Sequence, residues 1–136
     1  YPHAYNDWLS TNQGGLLAHE NTVPYTEKQA TCPSGVESFN TGAKVSKSYY
    51  SYETDETTLM GLVAEHGAVL VGIYASDRAF MNYGGGIYDK CAAGVQPNHA
   101  VVIVGYGEEN GVKYWKVKKT WGSNWGESKR FLLEEA

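Results

Sequence analysis

The sequence is short of several things at once. It has two cysteines and four prolines in 136 residues, its eleven Lys and Arg are outnumbered by fifteen Asp and Glu, and its apolar stretches are brief. Two cysteines, Cys32 and Cys91, are too few for a disulfide scaffold and too few for a zinc cage unless histidines join them. No CxxC, HxxxH or CxH spacing occurs, so no metal site and no cofactor are expected. A net charge of −4 with scattered cations lacks the basic footprint of a nucleic-acid binder. The longest apolar runs, "AVLVGIY" and "AVVIVGYG", fall far short of the ~20 residues a membrane helix needs, so neither nucleic acid nor membrane is an expected partner. No Asn-x-Ser/Thr acceptor is present, so N-glycosylation of this stretch is not expected.

What is present favours strands and wet loops. Eleven tyrosines and sixteen glycines accompany a 42% hydrophobic content, enough for a single globular unit with one core. The opening "YPHAYNDWLSTNQGG" places Pro2 at a helix start, puts Ala4, Tyr5, Trp8 and Leu9 on one face, and stops at Gly14 and Gly15, which reads as a short amphipathic helix. Residues 16 to 43 are turn-laden and read as a long structured loop or a crossover between domains. "AKVSKSYYSY" alternates as a strand does. "TDETTLMGLVAEHG" reads as a helix capped by Thr54, buried along Leu59, Leu62 and Val63, and ended by Gly67. The period then switches to strand at 68 to 76, 85 to 89, 99 to 107, 113 to 121 and 130 to 135, with turn residues between. Strands joined this tightly pair antiparallel by default, so the pattern predicts an α+β fold, one helix packed on a curled antiparallel sheet.

The motifs carry more. "NHAVVIVGYG", then "YWKVKKTWGSNWGE", with "YGGGIYD", "TDETTLMGLVAEHGAVLVGIYAS" and "VPYTEKQATC" upstream, resemble the papain-like cysteine peptidases, the cathepsin group, in order and spacing across nearly the whole chain. The resemblance implies the papain-like fold, with residues 1–43 as a remnant of its helical domain and crossover loops and 44–136 as its antiparallel β-barrel domain. It carries His99 onto the catalytic histidine, which takes a proton from a cysteine thiol and returns it to the leaving amine. Trp121 and Trp125 match the two tryptophans of the family, the first roofing the histidine on the leaving-group side. Ala75, Pro97 and Ala100 match positions around the pocket for the second substrate residue upstream of the cut, where small side chains would leave room for a bulky apolar group. Asn98 matches a residue whose backbone can bind substrate, and its side chain reads as a turn former. His3, His19 and His66 read as surface or helix-end residues.

Several departures qualify that resemblance. The nucleophile segment of the family, a "CGSCW"-like helix start, does not occur; Cys32 and Cys91 match half-cystines instead, with partners expected beyond either end. The glutamine that stabilises the tetrahedral intermediate is absent with it, so the chain alone is expected to be inactive. The "KNSWG" of the family reads "KKTWG", which puts Lys119 where an asparagine orients the histidine ring. An amide oxygen accepts the ring N–H, whereas an ammonium only donates and its like charge opposes the imidazolium. Finally, "HGAV" lacks the proline usual after that glycine, and Ser128 and Lys129 replace a Gly-Gly pair, changes expected to alter turns and not chemistry.

The expectation is a partial cysteine endopeptidase, a hydrolase in the intact protein, with this chain supplying the histidine side of the cleft. The alternative is a non-catalytic papain-like homologue that binds peptide or protein; a plain structural β domain is a third reading. Expected partners are a peptide or protein substrate, the missing N-terminal half, and a propeptide or protein inhibitor. The resemblance implies a lysosomal, vacuolar or extracellular setting, where disulfides form.

Overall fold

The computed structural model describes residues 16–21, 23–26, 28–31, 40–51, 54–90, 94–121, 125–126 and 130–134. The helix expected in the first fifteen residues, both cysteines, Ser128 and Lys129 lie outside them. The chain divides into two compact units, Tyr1–Tyr52 and Glu53–Ala136.

In the first unit a short strand β1 (Leu16–Ala18) pairs antiparallel with β2 (Asn40–Lys44). The strand expected over 43 to 52 stops at Lys44, and 45–51 carry no regular structure. The alternation there buries too little: Tyr49 is 80% and Tyr50 60% exposed, so no apolar face offsets the entropy of fixing the backbone.

In the second unit, helix α1 (Glu56–His66) begins at Asp55 and not at Thr54. The Asp55 carboxylate accepts from Thr58 N at 2.9 Å and from the Thr58 hydroxyl at 2.6 Å, satisfying an otherwise orphaned helix donor. These two bonds hold the Asp55 pKa below the ordinary carboxylate value. Gly67 ends the helix at φ 82°, a conformation that costs glycine little, and its N–H donates to Val63 O at 2.9 Å.

Five strands follow: β3 (Val69–Ile73), β4 (Ile87–Tyr88), β5 (His99–Glu109), β6 (Val112–Lys118) and β7 (Arg130–Glu134), ordered β3-β5-β6-β7-β4. Asn110 and Gly111, both at positive φ, close the tight β5–β6 hairpin. Val101 and Ile103 point to the core while Ala100 and Val104 stay exposed. A register shift between Ile103 and Gly105 then breaks the alternation, as a bulge does, and brings Tyr106 opposite the buried Trp115. One pairing corrects the antiparallel expectation: β4 runs parallel to β7, Ile87 against Leu132. These strands are remote in sequence, with β5 and β6 between them, so no tight turn dictates their direction. A further helix, α2 (Arg78–Met81), was not legible in the strand pattern; Asp77 caps it by accepting from Ala79 N at 3.0 Å.

The core gathers Val63 from α1, Phe80 from α2, Val101 and Ile103 from β5, Trp115 and Val117 from β6 and Phe131 from β7. Phe131 is fully buried and meets Phe80 edge-on at 5.0 Å, one of several aromatic contacts centred on Phe80. Among the described residues no helix is long and apolar enough to cross a membrane.

Candidate active site around His99

His99 is the first residue of β5, and the residue before it fastens that strand end in place. Asn98 N donates to Ile73 O at 3.0 Å, its side-chain oxygen accepts from Ala75 N at 2.9 Å, and its amide nitrogen donates to Ser76 Oγ at 2.7 Å. A residue read as a turn former thus ties the start of β5 to the loop leaving β3. The Ile73–His99 pairing continues that attachment as a ladder. The histidine backbone is therefore held along one side by β3 and at its start by the Asn98 bonds.

The ring is half-buried beside Trp121, with centroids 5.5 Å apart. Trp121 is 41% exposed, so one indole face meets solvent and the other covers the site. Trp125 stands against Trp121 at 5.4 Å and donates its indole N–H to Met81 O at 3.0 Å, which anchors the pair to α2. Nε2 of His99 is buried with no hydrogen-bond partner among the described residues.

Lys119 sits directly after β6 and is 2% exposed. It does not turn out to solvent: Nζ lies 2.7 Å from the Trp121 ring centroid, 4.0 Å from Phe80 and 4.1 Å from Trp125. Three aromatic faces attract an ammonium but do not replace the hydrogen bonds it had in water, and Nζ has none among the described residues. Burial pushes the Lys119 pKa down to about 7. Burial first, and the Lys119 charge second, push His99 below the ordinary histidine value.

The remaining predicted residues separate. Pro97 and Ala100 are exposed, Pro97 at the wall of a cavity of about 230 Å³ that also touches Gly72, Ile73, Phe80 and Phe131. Ala75 is 6% exposed and belongs to the core. The position facing Ala100 across the ladder is Gly72, whose missing side chain would meet Pro97 Cβ at 3.0 Å. Sequence reasoning passed over Gly72; the available sign was a glycine interrupting the apolar run "AVLVGIY", which marks a close approach. Cys32 and Cys91 lie outside the described residues, and no group of His, Cys, Asp and Glu among those described could hold a metal ion.

A histidine fixed on a strand end under a tryptophan, with a second tryptophan behind, now stands beside the comparisons. The family described as papain family cysteine protease matches residues 2–135. The chain belongs to that family. It is 39% identical over 125 residues to a viral cathepsin of Choristoneura fumiferana nuclear polyhedrosis virus, covering 91% of this chain and 36% of that protein. It is 36% identical over 128 residues to cathepsin R of Mus musculus, covering 90% and 37%. The digestive procathepsin L2 proteinase of Tenebrio molitor larval midgut superposes with a TM-score of 0.87 at 33% identity, over 99% of this chain and 42% of that one. The papain-like α+β fold follows from these, and the chain spans little more than a third of the length of the curated relatives cited.

Proposed function

We propose that this chain supplies the histidine side of a papain-like cysteine endopeptidase, working with a nucleophilic cysteine from a segment outside these residues. His99 takes the thiol proton; the thiolate forms a bond to the peptide carbonyl carbon; His99 returns the proton to the departing amine, and water then releases the acyl group. The observation that carries the reading is the mounting of His99, clipped by Asn98 and covered by Trp121, in a chain that matches the family over residues 2–135. Trp121 excludes water on the leaving-group side, with Trp125 as its backing. Gly72, Pro97 and Ala100 form the small-residue wall that receives a bulky apolar substrate side chain, with buried Ala75 supporting the loop behind. Cys32 and Cys91 are half-cystines of an enzyme that works in a lysosome, a vacuole or outside the cell, held by a propeptide before activation.

The test is peptide hydrolysis by the full-length protein. His99→Ala should reduce kcat/KM by several orders of magnitude while leaving the fold intact by circular dichroism, and retained turnover would remove His99 from the mechanism. A second reading, a homologue that binds peptides without cutting them, is favoured by the buried Lys119 amine beside His99. A thiol-directed epoxide separates the two, since labelling of a cysteine other than Cys32 or Cys91 requires a live thiolate. Lys119→Asn restores an acceptor for the ring, so turnover should rise by roughly tenfold or more; an equal or lower value argues against the orienting role of this position.

A further inference from the structure

Lys119 has an environment that the hydrolytic reading does not use. Its Nζ is buried, has no hydrogen-bond partner among the described residues, and is enclosed by Phe80, Trp121 and Trp125. Of these walls Trp121 is the most exposed, at 41%. His99, packed on that same ring, presents a buried Nε2 that also lacks a partner. Such an enclosure disfavours the ammonium and favours the neutral amine, whose lone pair makes it a nucleophile.

We propose that Lys119 Nζ is a covalent binding site for aromatic aldehydes, condensing with the carbonyl carbon behind Trp121 to form an imine. The nitrogen bonds to the carbonyl carbon and one of its protons passes to the carbonyl oxygen. The hydroxyl so formed then leaves as water with the second nitrogen proton. The three rings already fill the space around Nζ, so the aldehyde enters by displacing Trp121, the exposed one, and a flat aromatic ring takes the place of that indole against Phe80 and Trp125. Burial, which brings the Lys119 pKa to about 7, leaves a large neutral fraction near neutrality. An ordinary lysine at that pH is neutral in only about one molecule in three thousand. The inference rests on the amine and its box, and it requires no cysteine, so it stands or falls apart from peptide hydrolysis.

The probe is benzaldehyde with sodium cyanoborohydride, which supplies the hydride that traps the imine as a secondary amine, applied to the full-length protein near neutral pH. Peptide mapping by mass spectrometry compares Lys119 with its exposed neighbour Lys118, which serves as the internal control. The expected result is labelling of Lys119 at least about tenfold faster than Lys118, with the difference lost in denaturing urea. Trp121→Ala, checked for folding by circular dichroism, should speed Lys119 labelling further. Lys119 labelling no faster than Lys118 in the native protein overturns the proposal, and an unchanged rate in Trp121→Ala overturns the route behind the indole.

Discussion

A cation packed among three aromatic rings gains attraction from each face and gives up its water, and at Lys119 the second effect is the larger, since burial brings its pKa to about 7 from an ordinary 10.5. The sign of the stability effect follows. Between about pH 7 and 10.5 the unfolded chain holds a proton at Lys119 that the folded chain has released, so stability rises with pH across that window. His99 acts in the same direction at lower pH, since its folded value lies below 6.5 and stability rises as pH climbs through that interval. Lys119→Met should therefore stabilise the protein by about 1–3 kcal/mol near pH 6, with the gain shrinking toward alkaline pH. Urea midpoints at both pH values check this, and a constant difference would show that the ammonium is not the cause. The conflict between Lys119 and His99 was legible in "KKTWG"; the aromatic box was not, because Phe80 enters it from a helix far away in sequence.

Among the elements, α1 depends on its local cap, whereas α2 is also held by aromatic packing against distant segments. Asp55→Ala removes the cap and should cost about 1 kcal/mol, whereas Thr54→Ala should stay within about 0.5 kcal/mol. Thermal denaturation of the two variants distinguishes the caps. The sequence reading placed the cap at Thr54, and the bonds to Thr58 move it to Asp55. The short α2 carries Phe80, 2% exposed, which touches Tyr88, Trp121, Trp125 and Phe131. Phe80→Ala should cost about 3–5 kcal/mol by opening a cavity that the rigid strands cannot collapse into. Chemical denaturation measures the loss, and a cost below about 1 kcal/mol would mean that the aromatic cluster closes over the gap. The pairing of β4 with β7 lies beyond pattern reading, because parallel strands separated by two others leave no turn signal between them.

At the scale of the molecule, the second unit leaves an apolar strip on one side of β3 and β5, where Leu70 is 47% and Val104 37% exposed, with Gly72 and Ala100 between. Replacing Leu70 and Val104 together by lysine should lower the binding of an apolar dye by the isolated chain by roughly half, with little change in melting temperature. An equal dye signal would place the sticky surface elsewhere. The sequence by itself determined the papain-like family and the succession of strands along the chain from 68 onward, and it singled out His99 as the candidate histidine, because strand periodicity and motif spacing are local properties of the chain. Only the tertiary structure decided that Ala75 is core while Gly72 faces Ala100, that Asn98 is a clasp, and that Lys119 turns inward. Each of these depends on which residues from distant segments meet across the sheet, and such meetings are fixed by packing and register, which one stretch of sequence does not contain.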